Sequence, residues 1–235
     1  MRVVLRRDRR RRNVNLMCGS RLPLPHYALV DRVDLVTQPV VIRAASLTER
    51  LILVTHDNYL ANGIRHSPPP LTSSAIFPCL REAMHARQRS DSARVIIDLN
   101  GCTLPVFDVL HQLHLISRQK PGLAFDLLTE TDDPEIVRFI EASCLCRIID
   151  RRFTLSGIQR ALAFPRVIFN NPRDRFISQE WEIIRLMAQG LTLRNIAAQQ
   201  QRPYHRIIYR LARILALLKI KKRQQFIRLL QRISE

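Results

Sequence analysis

Cationic and aromatic side chains recur at helical spacing between residues 203 and 218. At about 100° per residue, the apolar positions of this segment fall on one side of a helix: Ile207, Leu211, Ile214, Leu215 and Leu218. Tyr209 points away from them, Arg206 and Arg213 flank it, and Ala212 lies on the same outer face. A helix that enters a DNA groove needs cations for phosphates, side chains that reach bases, and small residues for close approach. The pattern therefore predicts a DNA-reading helix, with a cationic amphipathic helix whose polar face is solvated as the alternative.

The segment before this helix favours the DNA-reading alternative. A first helical pattern opens at Ser178 and ends at Gly190, a residue that suits a helix C-cap. A second, short pattern starts after Thr192, which suits an N-cap, and fades at Gln200–Gln201. Pro203 then fits the first turn of the third helix, where its missing N–H costs nothing. Helix, tight turn and longer helix is the order of a helix-turn-helix DNA-binding unit, which a membrane-surface helix would not need.

The positive charge is concentrated at the two ends of the chain. Of the formal net charge of +18 on 235 residues, residues 1–12 carry +6 and residues 173–235 carry +10. This asymmetry indicates a polyanionic partner, nucleic acid first and an anionic membrane second. No apolar run is long enough for a transmembrane helix, and no apolar core follows the basic start as it would in a signal peptide. The odd, scattered set of 5 cysteines is typical of reduced thiols, so we expect a cytoplasmic protein.

The middle of the chain alternates apolar strands with helices. Strands are predicted at 51–55, 94–98, 123–128 and 144–149, and helices at 73–89, 104–118, 134–142 and 154–163. Apolar strands that alternate with helices favour a parallel sheet covered on both faces. Residues 164–174 have the proline and asparagine content of a linker. The arginine tract at 6–12 cannot bury apolar surface, so we expect a solvated, disordered tail, with non-specific phosphate binding as the alternative.

Four short motifs near the C-terminus fall at the spacing of a known family. They are Glu-x-Glu-Ile-Ile from Glu180, Ala-Gln-Gly-Leu-Thr from Ala188, Asn-Ile-Ala from Asn195 and Leu-Lys-Ile-Lys-Lys-Arg from Leu218. With them, residues 176–228 resemble the LuxR-type (FixJ-like) four-helix DNA-binding domain. The departures from the family pattern are Ile177 at a capping threonine, Gln200 and Gln201 at a leucine and a glycine, Arg206 at a threonine, and Arg210 at a histidine. The resemblance implies DNA binding and a last helix that helps to form a dimer, and it leaves open which bases are read.

The same resemblance implies which side chains meet DNA. By position, Ile208, Tyr209 and Ala212 fall where family members often touch bases. Six others fall at or beside phosphates: Arg194, Tyr204, His205, Arg206, Arg210 and Arg213. Lys221 and Lys222, between the third and fourth helices, either clamp a phosphate or remain solvated. Trp181 is expected to pack in the core.

Two segments of the middle, Ile52–Arg65 and Val95–Asn100, resemble parts of a response-regulator receiver domain. The first resembles the opening strand and helix start, and the second resembles the strand that ends at the phosphoacceptor, which would be Asp98. A receiver of this family also uses an acidic pair after its first strand to hold Mg²⁺, and a lysine after its last strand to hold the phosphoryl group. The receiver here is degenerate, so we expect Asp98 to be a vestigial phosphoacceptor.

Both supporting features of a receiver are altered in this sequence. Thr55 and His56 stand in the place of the acidic pair, with Asp57 nearby, and the lysine position falls at or beside Asp150. A carboxylate at that position would repel a phosphoryl group instead of pairing with it. Two alternatives remain open: Asp57 and His56 still hold Mg²⁺, or Arg151 replaces the lysine.

Other constellations favour no chemistry. His111 and His114 share a helix face and Cys144 and Cys146 lie in a predicted strand, but a zinc site would need a convergence that the sequence does not show. The sequence has no glycine-rich phosphate loop and no nucleophile elbow. We therefore expect no enzymatic activity, no metal and no cofactor.

The predicted fold is an α/β, parallel-sheet, receiver-like (flavodoxin-like) domain at 51–163, followed by a small all-α, four-helix helix-turn-helix domain at 176–235. A poorly defined basic segment occupies 1–50 and a linker occupies 164–175. We expect a cytoplasmic, nucleoid-associated transcription regulator that reads double-stranded promoter DNA with the helix at 203–218. It should act independently of phosphorylation and away from membranes, as a homodimer or as a heterodimer with another LuxR-type regulator. The alternatives are a non-specific basic nucleic-acid-binding protein and a phosphorylation-competent response regulator.

Overall fold

The computed structural model describes residues 38–42, 51–67, 74–88, 94–163, 166–170 and 174–235, which lie in one compact unit spanning 36–235. In this part of the chain, β1 (Gln38–Ile42) is followed by the five strands of a parallel sheet: β2 (Leu51–Val54), β3 (Ala75–Phe77), β4 (Arg94–Asp98), β5 (Phe125–Thr129) and β6 (Cys146–Asp150). Their order across the sheet is β3-β2-β4-β5-β6. The direction of winding reverses between β2 and β4, and the carboxyl ends of strands at such a point form a natural crevice.

Five helices cover the two faces of this sheet: α1 (Asn58–Arg65), α2 (Leu80–Gln88), α3 (Val106–Gln119), α4 (Pro134–Ser143) and α5 (Leu155–Ala163). Successive strand residues bury their side chains on opposite faces. Leu51 and Leu53 join an apolar cluster with Ile158 of α5, whereas Ile52 and Val54 join the cluster that contains α2, α3 and α4. Because both faces are covered, the strands are apolar at consecutive positions. We call β2–β6 with α1–α5 the sheet layer.

Two segments differ from the sequence-based prediction. The predicted helix at 73–89 is wrong at its start, because β3 occupies Ala75–Phe77 and the helix begins at Leu80. This strand has three residues, none of them fully buried, which is too short a run to show a pattern. The predicted linker contains a further strand, β7 (Arg166–Asn170), which pairs antiparallel with β1. The arginine tract at 6–12 lies outside the described residues, and the predicted domain boundaries stay predictions.

Four helices complete the described chain: α6 (Ser178–Ala188), α7 (Leu193–Gln199), α8 (Tyr204–Leu217) and α9 (Arg223–Ser234). We call them the C-terminal bundle. The two caps predicted from the sequence are confirmed. Gly190 ends α6 with a φ of +85°, and the Thr192 hydroxyl accepts a hydrogen bond from the Asn195 N–H at 3.3 Å to start α7. The predicted fold class, a receiver-like parallel sheet with a four-helix helix-turn-helix bundle, is confirmed.

A single apolar core runs from the sheet layer into the C-terminal bundle. Trp181 of α6 is buried in this core, as predicted, but most of its partners belong to the sheet layer. Its ring lies 5.8 Å from that of Phe107 at an interplanar angle of 6°, and 4.7 Å from that of His114 at 14°. Phe139 of α4 and Phe176 contact it at tilted angles. The bundle is therefore anchored on α3 and α4 by an aromatic side chain.

Two arginines contact a buried carboxylate in the sheet layer, at the end of α5. The Asp126 carboxylate on β5 accepts hydrogen bonds from Arg94 on β4 and from Arg147 on β6, the latter at 2.5 Å. The two guanidinium groups also donate to the carbonyl oxygens of Leu162 and Ala161, at 3.2 and 2.8 Å. These carbonyls belong to the last turn of α5, where the helix dipole favours cations. The cluster ties three strands to α5 and has a structural role.

Candidate nucleic-acid interface and acidic cluster

Helix α8 exposes the face predicted from its sequence. Four predicted core residues are buried: Ile207, Leu211, Ile214 and Leu218. On the other side Tyr209 is 75% exposed and Ile208 is 44% exposed, and Ala212 is exposed beside them. The three side chains predicted to touch bases thus share one outward face of the helix.

The cations predicted to meet phosphates lie on both sides of this face. A groove of about 640 Å³ between the start of α6 and α8 is lined by His205, Arg206, Tyr209, Arg210 and Arg213, together with Ile177 and Glu180. Tyr204 is exposed at the first turn of α8. Arg194 on α7 and Lys221 and Lys222 before α9 are exposed elsewhere on the bundle. The groove is concave and cationic, which suits an anionic backbone.

One cation of the groove has a second role that sequence reasoning missed. The Arg213 guanidinium forms an ion pair with Glu180 of α6, whose side chain is fully buried. The same Glu180 oxygen accepts a hydrogen bond from the backbone N–H of Ile177 at 3.0 Å, one half of a capping box. The pair joins residues that are 33 positions apart, so no local pattern indicates it. A buried carboxylate needs a counter-charge, which makes Arg213 a structural tie between α6 and α8 as well as a candidate DNA contact.

The turn between α7 and α8 keeps its geometry without a glycine. The Arg202 N–H donates to the Ala197 carbonyl at 2.9 Å and the Gln201 N–H donates to the Ala198 carbonyl at 3.1 Å, the two bonds of a Schellman motif. That motif requires a left-handed residue, and Gln201 adopts it with a φ of 50°. The departure from the family glycine is therefore accommodated by strain in one residue and leaves the turn intact.

Asp98, the candidate phosphoacceptor, lies at the end of β4 and is closed off from solvent. Its side chain is fully buried, and its two oxygens accept hydrogen bonds from the Thr55 hydroxyl and from Arg151 Nε, both at 2.8 Å. The following loop passes directly over it. A Cβ at Gly101 would lie 2.1 Å from Asp98 Oδ2 and 2.6 Å from Thr55 Oγ1. The carboxylate is thus satisfied by its own protein and closely covered on one side.

The Arg151 guanidinium also contacts two further carboxylates, those of Asp57 and Glu130. It forms an ion pair with Asp57 and donates to Glu130 Oε1 at 2.7 Å. Burial acts to raise the pKa of Asp57, but hydrogen bonds from the Leu60 and Tyr59 backbone and from Arg151 outweigh burial and lower that pKa. Burial opposes the charge on Arg151, yet the carboxylates raise its pKa above the ordinary arginine value. The cluster therefore holds one cation, Arg151, among three carboxylates.

Asp150 and Arg151 lie where the family has a lysine, and the two side chains have different partners. Asp150 turns toward its neighbour Arg152, at 2.7 Å, and Arg152 also pairs with Asp132. Arg151 enters the cluster in its place. His56 is exposed, and its backbone N–H donates to the Gly101 carbonyl at 2.6 Å. Of the alternatives left open by the sequence, an arginine in place of the lysine is the one that matches this geometry, while the chemistry of Asp98 stays a prediction.

The histidines and cysteines weighed for zinc are placed differently. His111 and His114 stack on Trp181, and Cys144 and Cys146 are buried free thiols. Within the described ranges, no three or more His, Cys, Asp or Glu side chains come together in a way that could hold a metal ion. The helices of the same ranges are all too short or too polar to span a membrane.

The comparison with solved structures gives distant likenesses. RcsB of Salmonella enterica serovar Typhimurium, bound to the rprA promoter in the presence of BeF3⁻, is 18% identical with a TM-score of 0.43, over 78% of this chain and 98% of that chain. Full-length FixJ of B. japonicum is 11% identical with a TM-score of 0.39, over 80% of this chain and 98% of that chain. No protein-family model matches the chain.

A curated relative matches along the whole chain. The Fimbriae Y protein of Salmonella typhimurium (strain LT2) is 30% identical over 237 residues, which cover 100% of this chain and 97% of that protein. The similarity includes both the sheet layer and the C-terminal bundle, which have the architecture expected of a LuxR-type regulator with a receiver-like domain. The chain belongs to the family of the Fimbriae Y protein.

Proposed function

We propose that this protein is a LuxR-type transcription regulator that reads promoter DNA with α8. The observation that carries the proposal is the outward face of α8, where exposed Tyr209 and Ile208 stand beside a cationic groove. The helix before it, α7, is held at a tight turn, as a helix-turn-helix unit requires. The net charge of +10 on residues 173–235 supplies the attraction to a polyanion.

The contacts divide into base reading and phosphate binding. Ile208, Tyr209 and Ala212 read base edges in the major groove, because they share the outermost face of the helix. The phosphate contacts come from Arg194, Tyr204, His205, Arg206, Arg210, Arg213, Lys221 and Lys222. Of these, Arg206 and Arg210 line the groove. Among the described residues neither forms a side-chain ion pair, so their side chains have the most freedom to reach DNA.

The protein acts as a dimer in the cytoplasm, associated with the nucleoid. A homodimer, or a heterodimer with another LuxR-type regulator, places two recognition helices about one turn of DNA apart and so reads two half-sites. It has no enzymatic activity. The sheet layer serves as a regulatory or positioning domain at 51–163, and the linker at 164–175 that follows it contains β7.

DNA binding by this protein is independent of phosphorylation. Arg151 already supplies the cation that a receiver takes from bound Mg²⁺ and a lysine, and it is held by Asp98, Asp57 and Glu130. Phosphorylation would add about −1.5 to −2 charges to a buried carboxylate that is already satisfied. Such a group would have to displace Arg151 or Thr55 from Asp98, which opposes the modification.

Binding to genomic DNA fragments tests the proposal. Sequences are selected from a fragment library, and the dissociation constant of the best one is measured by fluorescence anisotropy over a range of salt concentrations. Arg206→Ala and Arg210→Ala should each weaken binding and lower the salt slope by about one, because each removes a phosphate contact. The charge-matched control is Arg81→Ala, which removes an exposed arginine from α2 and should leave affinity unchanged. Equal affinity in all four proteins would contradict the assignment of the groove.

Base reading has a separate test with the same probe. Tyr209→Ala should change the ranking of selected sequences more than the average affinity, since it removes a base contact and keeps the cations. A uniform loss on unrelated sequences would instead make Tyr209 a non-specific contact. Loss of wild-type binding in excess unrelated competitor DNA would favour a non-specific nucleic-acid-binding protein.

A further inference from the structure

A histidine accepts one of the hydrogen bonds that cross from the C-terminal bundle to the sheet layer. Trp181 Nε1 on α6 donates to Nδ1 of His111 on α3 at 2.6 Å. An indole nitrogen is only a donor, so Nδ1 of His111 must carry its lone pair and no proton. The bond therefore exists only when His111 is neutral, with its single proton on Nε2.

The rest of this contact is formed by His114 and by apolar rings. His114 stacks on Trp181 and its Nδ1 lies 3.0 Å from the Ser143 carbonyl, which fixes the proton on that nitrogen. The other ring nitrogen of His114 is buried without a hydrogen-bond partner, so a second proton there would have no acceptor. Phe107 and Phe139 close the contact around the indole. We call His111, His114, Phe107, Phe139 and Trp181 the seam.

We propose that the seam is a pH-sensitive lock in which protonation of His111 removes the acceptor for Trp181 and loosens the C-terminal bundle from the sheet layer. A protonated imidazole has N–H donors at both nitrogens. Two donors would then face each other at 2.6 Å, an arrangement that cannot persist. The indole must lose its hydrogen bond inside a buried contact or move away from it.

The surroundings of His111 support a neutral ring in the docked state. Burial lowers its pKa first, and Arg185 on α6 lowers it further, while Asp108 on α3 and Glu182 on α6 act in the opposite direction and do not prevail. The pKa of His114 is also lowered, mainly by burial, with contributions from Arg118, His111 and Arg175. These are the charged groups that face the two rings from α3, from α6 and from the residues before α6.

The sign of the pH effect follows from the lowered pKa. An undocked, hydrated His111 binds a proton at the ordinary histidine pKa of about 6.5, whereas the docked form resists protonation. Docking is therefore at full strength above about pH 6.5 and weakens as the pH falls through the undocked value toward the docked one. Protons reach the ring from solvent through a cavity of about 350 Å³ lined by His111, Asp108, Arg185 and Gln189.

A second anchor keeps the bundle tethered over the same pH range. Arg232 of α9 pairs with Asp133 and Glu135 at the start of α4. Burial acts to raise the pKa of Asp133, but the Glu135 N–H and Arg232 outweigh it and lower that pKa. The Asp133 carboxylate therefore stays ionised while His111 titrates, and its contact with Arg232 is kept. Acid loosens the seam and leaves the ionic contact in place.

The fluorescence of Trp181 tests the lock directly, since the chain has 1 tryptophan. Emission and acrylamide quenching of the full-length protein are followed from about pH 8 to about pH 5, together with far-ultraviolet circular dichroism. The expected result is a reversible red shift and a rise in quenching at acid pH, with unchanged helical signal. An absence of any change in Trp181 over this range, or a change that coincides with loss of helix, would overturn the proposal.

Three variants assign the transition to one side chain. His111→Gln keeps an acceptor oxygen for the indole and does not titrate. Its Trp181 emission should therefore stay the same as that of the neutral-pH wild type over the whole pH range. His111→Phe has no acceptor for the indole. At neutral pH it should already show the red-shifted Trp181 emission that the wild type shows in acid. The control His85→Gln removes an exposed histidine from α2 and should titrate like the wild type. An acid transition retained in His111→Gln at the wild-type midpoint would overturn the assignment, and because no DNA is involved, failure here is distinct from failure of the proposed function.

Discussion

Arg151 decides the electrostatics of the carboxylates at the end of β4. Its guanidinium contacts Asp98, Asp57 and Glu130, three side chains that are far apart in sequence and that would repel each other without it. One guanidinium thus supplies the positive charge that holds three carboxylates together at this end of the sheet. Sequence reasoning reached Arg151 as one of two alternatives, because its position beside Asp150 did not reveal which side chain turns inward.

The first residue-scale prediction concerns phosphorylation. Acetyl phosphate with Mg²⁺ should leave Asp98 unmodified, since the carboxylate is fully buried and both oxygens are occupied by Thr55 and Arg151. Asp98→Ala should therefore leave DNA binding nearly intact. Intact-mass spectrometry makes the measurement. Stoichiometric phosphate on the wild type, absent from Asp98→Ala, would establish a phosphorylation-competent regulator instead.

The second residue-scale prediction concerns stability. Arg151→Ala should lower the free energy of unfolding by about 3 kcal/mol at neutral pH, because it leaves the buried Asp98 carboxylate without its cation. The lowered pKa of Asp57 fixes the sign of the pH dependence. Its contribution is present above the ordinary aspartate pKa of about 3.9 and is lost as the pH falls through the lowered value in the folded protein. Urea denaturation at neutral and acid pH should show the difference between wild type and variant shrinking in acid.

The adjacent arginine provides the control for that experiment. Arg152 pairs with Asp132 and Asp150 at the surface, where its side chain is 52% exposed. Exposed ion pairs contribute little to stability, so Arg152→Ala should unfold close to the wild type. Equal destabilisation by the two substitutions would mean that Arg151 has no special role in the cluster.

At the scale of elements, three helices of the C-terminal bundle end in the same way. Helices α6, α7 and α8 each close with a Schellman motif, and the left-handed residues are Gly190, Gln201 and Lys219, with φ values of 85°, 50° and 55°. Glycine adopts this conformation without strain, whereas a residue with a Cβ does not. Two of the three turns therefore contain a residue that the backbone does not favour.

This difference predicts opposite effects for two substitutions. Gln201→Gly should raise the free energy of unfolding by about 1 kcal/mol, because it relieves the left-handed conformation at an exposed position. Gly190→Ala should lower it by a similar amount, since it introduces the same strain where there is none. Thermal and denaturant unfolding of the two variants gives the measurement. A loss of stability in Gln201→Gly would show that flexibility gained by the unfolded chain outweighs the relief of strain.

The sequence predicted elements where burial is regular. The strands at Arg94–Asp98 and the helices of the bundle gave clear patterns, because a fully covered strand is continuously apolar and an amphipathic helix repeats at its own period. The short edge strand Ala75–Phe77 and the pair of β1 with β7 were missed. These strands form by pairing with segments that are distant in sequence, and a local pattern contains no information about such pairing.

At the scale of the whole molecule, the sequence correctly predicted an α/β part and an all-α part. It did not predict the contacts between these two parts. Its charge division, a cationic C-terminal segment after a nearly neutral middle, corresponds to a cationic bundle beside the sheet layer. Phe107, Phe139 and Trp181 belong to the apolar core that joins the two parts. From the sequence, Trp181 was expected to pack in the core of the C-terminal bundle. The local sequence does not distinguish a tryptophan that packs inside its own domain from one that packs on a neighbouring domain.

The shared core predicts how the protein unfolds. With one apolar cluster running through the sheet layer and the bundle, calorimetry of the wild type at neutral pH should give a single unfolding transition. Trp181→Ala should split it in two, because removal of a buried tryptophan costs about 3–5 kcal/mol and most of the lost contacts lie on α3 and α4. Arg232→Ala should keep one transition, since exposed ion pairs of this kind contribute about 1 kcal/mol or less. Two transitions in the wild type, or one in Trp181→Ala, would show that the aromatic contact does not couple the two parts.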